Sequence, residues 1–145
     1  MKLYTSYFAQ LRKFPQNLVG LSTAHWNPKW RPMGKDKRGV ICVDCPPFKP
    51  GLECDGLCNG SCNPKHPEDC AFLKVYKTQL DKINLIQFQN SLGNLAAKIA
   101  AQENIQDIDF ALLVYETPAN PCSERVAIQQ WGKENNIAIQ EWSDK

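Results

Sequence analysis

The chain has 145 residues, of which 43% are hydrophobic and 22% are charged, and its formal net charge is +2 at pH 7. This composition is typical of one soluble globular domain, and so small a charge excludes binding driven mainly by overall attraction to nucleic acid. The N-terminus lacks a signal-peptide pattern, and no apolar run approaches the ~20 residues that cross a bilayer. We therefore expect a single cytoplasmic domain, residues 1–145, with no membrane partner.

The first predicted elements are two strands and a loop. Residues 2–8 are rich in Leu, Tyr, Thr and Phe, which predicts a first strand. A short helical turn over residues 9–14 and a second strand over residues 17–22 follow. Residues 23–38 have neither helical nor strand periodicity, which indicates a loop. Because loops of this length in compact domains are often functional, this loop is a candidate site.

The cysteines form the densest feature of the chain. Six of the seven lie within residues 42–70, at Cys42, Cys45, Cys54, Cys58, Cys62 and Cys70. The first two have the C-x-x-C spacing that binds one metal ion through two thiolates. Few large apolar side chains lie in this segment, so we expect a metal rather than a hydrophobic core to hold it. The segment is predicted to be a structural zinc-binding insertion with one or two ions, and His66 is a further possible ligand. An iron–sulfur cluster and disulfides are the alternatives.

The second half of the chain predicts helices and strands in alternation. Apolar residues at helical spacing predict a helix that begins near His66, and a capping-box pattern begins a second helix at Asn84. The later elements are a buried strand over residues 109–116, a helix over 122–135 and a last strand over 137–142. Strands that alternate with helices predict a small Rossmann-like α/β domain with a mostly parallel sheet.

The start of the last predicted helix is a candidate active site. Ligands of open α/β sheets bind at the carboxyl ends of the strands, and a helix N-terminus suits an anion. Cys122 would have a lowered pKa there and is the candidate nucleophile, with Arg125 as an electrostatic clamp and His25 as an acid or base. Glu116 and Ser123 are candidate ligand contacts. Alternatively, Ser123 only caps the helix and Cys122 packs as a small hydrophobic residue.

The predicted loop at residues 23–38 supports two interpretations. Lys29 and Arg31 follow the second strand, so they could complete a pocket for a phosphorylated small molecule. Trp26 and Trp30 lie among these basic residues, which is typical of proteins that hold single-stranded nucleic acid by stacking. A third possibility is that both tryptophans pack against the edge of the core.

Residues 112–125, followed by a helix that carries Trp131, resemble the C-terminal signature of an uncharacterised bacterial and phage family, domain of unknown function 488. That signature is an apolar strand, a Tyr-Glu-x-Pro turn and a Cys-His-Arg sequence that begins a helix. Three further segments are similar to the family: residues 3–9, Pro-Lys-Trp at 28–30 and Pro-Pro at 46–47. The resemblance implies a fold and the location of a site, not a reaction.

This chain departs from that signature at one point. Ser123 and Glu124 stand where the family places a histidine, and the arginine is shifted to position 125. If the family's histidine donates a proton, that chemistry is absent here.

The sequence thus predicts a zinc-stabilised α/β domain that binds a nucleotide or nucleic-acid phosphate at its strand ends. An enzyme of nucleotide or nucleic-acid metabolism is one expectation. The alternative is a non-catalytic nucleic-acid-binding module in which zinc and the tryptophan loop form the contact surface.

Overall fold

The computed structural model describes residues 1–57 and 65–144, and the predicted metal ligands Cys58 and Cys62 lie outside these ranges. The described residues form nine regular strands and α-helices. The strands are β1 (Leu3–Tyr7), β2 (Leu18–Ser22), β3 (Gly34–Lys35), β4 (Ile41–Asp44), β5 (Asp109–Val114) and β6 (Ile139–Glu141). The helices are α1 (Ala71–Asp81), α2 (Leu85–Glu103) and α3 (Glu124–Glu134).

The strands form one sheet in the order β3-β4-β2-β5-β1-β6. Every neighbouring pair is parallel except β3 and β4, which are antiparallel. Strand β5 lies between β1 and β2 and pairs with each of them over five residues. The prediction of an α/β domain with a mostly parallel sheet is confirmed, and the arrangement is compatible with a Rossmann-like fold.

The two faces of the sheet are covered differently. Buried residues of all three α-helices pack on one face, with Phe110 and Leu112 of β5. The other face packs against the 3-10 helix Phe8–Lys13, with Ala111 and Leu113 of the same strand. Because β5 is buried on both faces, it has the continuous apolar sequence from which a strand was predicted.

Four strands end at the same edge of the sheet, here called the carboxyl rim. Tyr7 of β1 is in register with Val114 of β5, and Ser22 of β2 is in register with Asp44 of β4. The chain leaves β1 and β2 toward one face and leaves β4 and β5 toward the helical face. Loops that diverge from adjacent parallel strands leave a crevice between them, so this rim is the expected location of a ligand.

Helix α2 begins where its cap is predicted, whereas α1 begins at Ala71, after the 3-10 turn Pro67–Asp69, and not near His66 as predicted. The Asn84 side chain accepts a hydrogen bond from the Gln87 backbone N–H at 3.0 Å and caps α2. In the described ranges, no helix has the length and hydropathy needed to cross a lipid bilayer.

Strands β3 and β4 were not predicted, and β4 corrects one expectation for residues 42–70. Cys42 is fully buried in β4, where it is in register with Gly20 of β2. Phe48 is also fully buried, and its carbonyl accepts a hydrogen bond from the Tyr76 hydroxyl at 2.5 Å. The hydrophobic core thus holds part of this segment, contrary to the expectation that a metal rather than a core holds it, while its zinc-binding role stays a prediction.

Candidate functional site

A cavity of about 340 Å³ lies at the carboxyl rim, and we call it the rim pocket. It is lined by His25, Pro50, Cys54, Asp55, Gly56, Phe72, Glu116, Cys122 and Glu124. The loops that follow β2, β4 and β5 all contribute to it. The structure thus brings together three predicted site residues, His25, Glu116 and Cys122, with Cys54, which was predicted as a metal ligand.

Two glutamates face each other in the rim pocket. Burial, together with the charge of the neighbouring Glu116 and a hydrogen bond to it, raises the pKa of Glu124 to about 7. Glu116 also accepts a hydrogen bond from the Ser123 hydroxyl at 3.3 Å. This pair can therefore hold one proton near neutral pH.

Glu124 was not predicted as a site residue. Its sequence signal was an acidic residue directly after the helix cap, close to Glu116 at the end of a buried strand. That pattern is common at helix starts, where it usually only complements the helix dipole.

Arg125 lies beneath the rim rather than at its surface. Its side chain is 4% exposed, and it donates two hydrogen bonds to the Glu141 carboxylate, at 2.7 and 3.1 Å. A third hydrogen bond of 2.8 Å reaches the Glu116 carbonyl, and the guanidinium lies 5.8 Å from the centre of the Tyr7 ring. Because Glu141 balances its charge, these contacts do not favour the predicted electrostatic clamp.

The start of α3 is capped by the protein itself. Ser123 is fully buried, and its hydroxyl accepts a hydrogen bond from the Arg125 N–H at 3.4 Å, as the capping interpretation predicts. The Cys122 N–H donates to the Asn120 side chain at 2.9 Å. Cys122 is disulfide-bonded in this structure, so its role as a nucleophile stays a prediction for the reduced protein.

The loop at residues 23–38 is tied to the rest of the rim at several points. The Thr23 hydroxyl donates to the Leu113 carbonyl at 2.8 Å, and the Tyr115 hydroxyl donates to the Trp26 carbonyl. Arg31 is 7% exposed and donates to the backbone carbonyls of Pro32, Gly34 and Val40. Arg31 therefore holds the loop together and, like Arg125, does not face a ligand at the surface.

The tryptophans of this loop point to solvent. Trp26 is 85% exposed and Trp30 is 63% exposed, with the exposed Lys29 between them in the sequence. The interpretation that both pack against the edge of the core is therefore wrong. Tyr115, which follows β5, is 50% exposed and adds a third aromatic side chain to the rim.

The described cysteines are divided by the sheet. Cys45, Cys54 and Cys70 belong to the core on the helical face. Cys42 belongs to the opposite face, where its sulfur lies 3.9 Å from the sulfur of Met33. Burial raises the pKa of Cys42 to about 11 and that of Cys45 to about 12, so both are protonated at neutral pH when no cation is bound.

One compact group of potential metal ligands occurs in the part of the chain that the structure describes. It consists of His66, Glu68 and Asp69, all exposed, with ligand atoms within 4.8 Å of one another. His66 is 2.9 Å from the Glu68 carboxylate and lowers its pKa. No described cysteine belongs to such a group, so the described thiols do not form a preassembled zinc site.

A larger cavity than the rim pocket lies elsewhere and has a volume of about 580 Å³. It is lined mainly by apolar residues near the start of α2, such as Phe88 and Leu92, and by the ends of β2 and β4. Its one carboxylate, Asp44, is bound by Lys49 at 2.8 Å. Apart from Cys45, it contains none of the predicted site residues.

No protein-family model matches this chain, and no curated protein or solved structure does. The resemblance to domain of unknown function 488 therefore stays a prediction. The fold and the site together define an α/β protein whose carboxyl rim presents exposed aromatic side chains beside an acidic pocket.

Proposed function

We propose that this chain binds nucleobases, in a nucleotide or in single-stranded nucleic acid, by stacking them on Trp26 and Trp30. The observation that carries this proposal is the exposure of the two rings, 85% and 63%, on a loop that is hydrogen-bonded to Leu113 of β5 and to Tyr115. Every base has a flat aromatic face, and stacking on a protein aromatic ring stabilises binding by about 1–3 kcal/mol per base.

Charge around the loop supports bases more than phosphates as the main contact. Lys29 and Lys37 are exposed and can each meet a phosphate. Arg31 and Arg38 donate to backbone carbonyls, and Lys35 is paired with Glu103. Few phosphate contacts predict a weak dependence of affinity on salt concentration. The net charge of +2 is consistent with that expectation.

The enzymatic alternative is less well supported by the geometry. It needs a free thiolate at Cys122 and an available guanidinium at Arg125, but Cys122 is disulfide-bonded and Arg125 is paired with Glu141. Glu116 and Glu124 also place carboxyl groups beside the start of α3, where a phosphate would be repelled. We therefore favour the non-catalytic binding module.

The test is a titration of the full chain with fluorescent oligo-dT, followed by fluorescence anisotropy at several salt concentrations. We expect Trp26→Ala and Trp30→Ala each to weaken binding by about 1–3 kcal/mol. Ile86→Ala removes an apolar side chain of similar exposure, 71%, on α2 and should leave affinity unchanged. Wild-type affinity in both tryptophan variants would contradict the proposal.

We also propose that the chain binds zinc, with a smaller set of ligands than the sequence predicts. Its ligands would include Cys45, Cys54 and Cys70, which share one side of the sheet, and would not include Cys42. These three thiols would have to move closer to one another to bind one ion, since they do not all lie within 4.8 Å of one another here.

Elemental analysis of protein purified under reducing conditions tests this proposal. One or two zinc ions per chain are expected in the wild type and in Cys42→Ser. Cys54→Ser should lower the zinc content. Freshly prepared, reduced wild-type protein that contains no metal would exclude a zinc site.

A further inference from the structure

The described lining of the rim pocket is rich in hydrogen-bond acceptors and therefore suits a ligand that carries hydrogen-bond donors. Among the described residues that line it, Asp55, Glu116 and Glu124 carry carboxyl groups and His25 carries a titratable ring nitrogen. The Nε2 atom of His25 is engaged by the Pro50 carbonyl. None of the described residues that line the pocket is a lysine or an arginine, so a phosphate would be repelled, whereas a group with N–H donors would be accepted.

Two of these lining residues have an exposed aromatic residue next to them in the sequence. Trp26 follows His25, and Tyr115 precedes Glu116, with the Tyr115 hydroxyl bonded to the Trp26 carbonyl. The pocket and the proposed stacking surface are therefore parts of one rim. A cavity of about 340 Å³ is at the small end of the range for ligand sites, which suits a single base better than a whole nucleotide.

We propose that the rim pocket receives one guanine base from the bound nucleotide or strand and that the Glu116 carboxylate binds its Watson–Crick edge; this inference rests on the proposed function. Guanine carries two adjacent N–H donors, at N1 and at the N2 amino group, and a carboxylate can accept both at once. Adenine and cytosine each place a ring acceptor beside their amino group, so a carboxylate would face a lone pair. Thymine has a single N–H donor between two carbonyl groups.

The experiment compares short oligo-dT probes that carry one central dG, dA, dC or deoxyinosine, with anisotropy as the readout and the full chain as the protein. The dG probe should bind roughly 5- to 100-fold more tightly than the dA and all-dT probes, as expected for one bidentate contact to a base. Inosine keeps the N1–H but lacks the amino group, so its probe should lose most of this advantage.

Two variants assign the effect to the pocket. Glu116→Gln replaces one acceptor oxygen by an N–H donor and should reduce the affinity for the dG probe to that for the dA probe. Glu53→Gln removes an exposed carboxylate from the neighbouring 3-10 helix Leu52–Cys54, outside the pocket lining, and should preserve the preference.

The outcomes separate this inference from the function on which it rests. Equal affinity for the dG and dA probes, or full affinity for the inosine probe, overturns guanine recognition but not base stacking. A preference for dG that survives in a folded Glu116→Gln protein also overturns the role of the pocket. Failure of every probe to bind overturns both proposals. The inosine comparison uses wild-type protein, so it remains decisive if the Glu116 variant does not fold.

Discussion

Two segments form neighbouring parts of the carboxyl rim, the loop at residues 23–38 and residues 115–125, here called the connection, which runs from the end of β5 into the first turn of α3. Each contains one buried arginine. Arg31 is 7% exposed and Arg125 is 4% exposed, so both guanidinium groups are turned inward. The remaining side chains differ. The loop presents exposed tryptophans, whereas the connection presents two glutamates that face the rim pocket. The loop therefore offers a ligand aromatic rings, whereas the connection offers it carboxyl groups.

The two arginines also differ in how their charge is balanced. Arg125 donates two hydrogen bonds to one carboxylate, Glu141. Arg31 donates to neutral carbonyls, and its nearest carboxylate, Asp36, lies 3.9 Å away. Removing one partner of a buried ion pair leaves an uncompensated charge, which costs more than removing a donor from neutral groups. We therefore expect substitution of Arg125 to lower the stability more than substitution of Arg31.

The largest effect is expected for Arg125→Met, which removes the positive charge beside the Glu141 carboxylate and leaves it the hydrogen bond from the Thr5 hydroxyl. We expect the free energy of unfolding to fall by about 3–5 kcal/mol in urea denaturation. Lys133→Met, on the exposed side of the same helix, should change it by less than about 0.5 kcal/mol. The double variant Arg125→Met with Glu141→Leu should recover part of the loss. A loss below about 1 kcal/mol for Arg125→Met would mean that the pair is not structural.

The second largest effect on the free energy of unfolding is expected at Glu124, and it depends on pH. Burial raises its pKa from 4.5 to about 7, so the folded protein binds the proton more tightly than the unfolded chain. The resulting stabilisation is complete below pH 4.5 and is lost as pH rises through about 7. Between these limits the change amounts to roughly 3 kcal/mol.

Glu124→Gln should abolish that dependence. The free energy of unfolding of the wild type, relative to this variant, should decrease between about pH 5 and pH 8. Glu53→Gln, at an exposed position, should follow the wild-type profile. Parallel profiles of wild type and Glu124→Gln would show that the carboxyl group is not buried with its proton.

Arg31→Ala should have an intermediate effect. It removes the guanidinium donor from the carbonyls of Gly34 and Val40, although Val40 still accepts a hydrogen bond from the Asp36 N–H at 2.9 Å. We expect this loss to cost about 1–3 kcal/mol of stability. The comparison with Arg125→Met, measured in the same denaturant, tests the difference in charge balance directly. Equal losses in the two variants would show that Asp36 compensates Arg31 as fully as Glu141 compensates Arg125.

Elements with a clear hydrophobic pattern were predictable from the sequence. The apolar run in β5 and the helical spacing in α1 and α2 gave the central strand and two helices, because each pattern matches one regular structure. Strand β4 was missed because Cys42 and Cys45 resemble a metal motif, although Cys42 packs against Met33 in the core. A cysteine in a strand and a cysteine in a ligand set have the same sequence signal until tertiary packing decides between them.

The candidate site was predictable only in its location. The rule for parallel sheets places His25, Glu116 and Cys122 at one edge, and all three line the rim pocket. The direction of Arg31 and Arg125 was not predictable, since it depends on carbonyls and a carboxylate that are distant in the sequence. The importance of Glu124 depends on how deeply the fold buries it, and an acidic residue in a first helical turn is usually exposed.

The smallest effect on stability is expected at the exposed tryptophans. Trp26→Ala and Trp30→Ala remove rings that are mostly in solvent, so each should change the free energy of unfolding by less than about 0.5 kcal/mol. Trp131→Ala, which removes a ring that is 1% exposed, should cost about 3–5 kcal/mol and provides the contrast. Thermal or urea denaturation of the three variants measures this directly. Large losses at position 26 or 30 would show that the ring supports the loop, and the weaker base binding of that variant could then no longer be attributed to stacking.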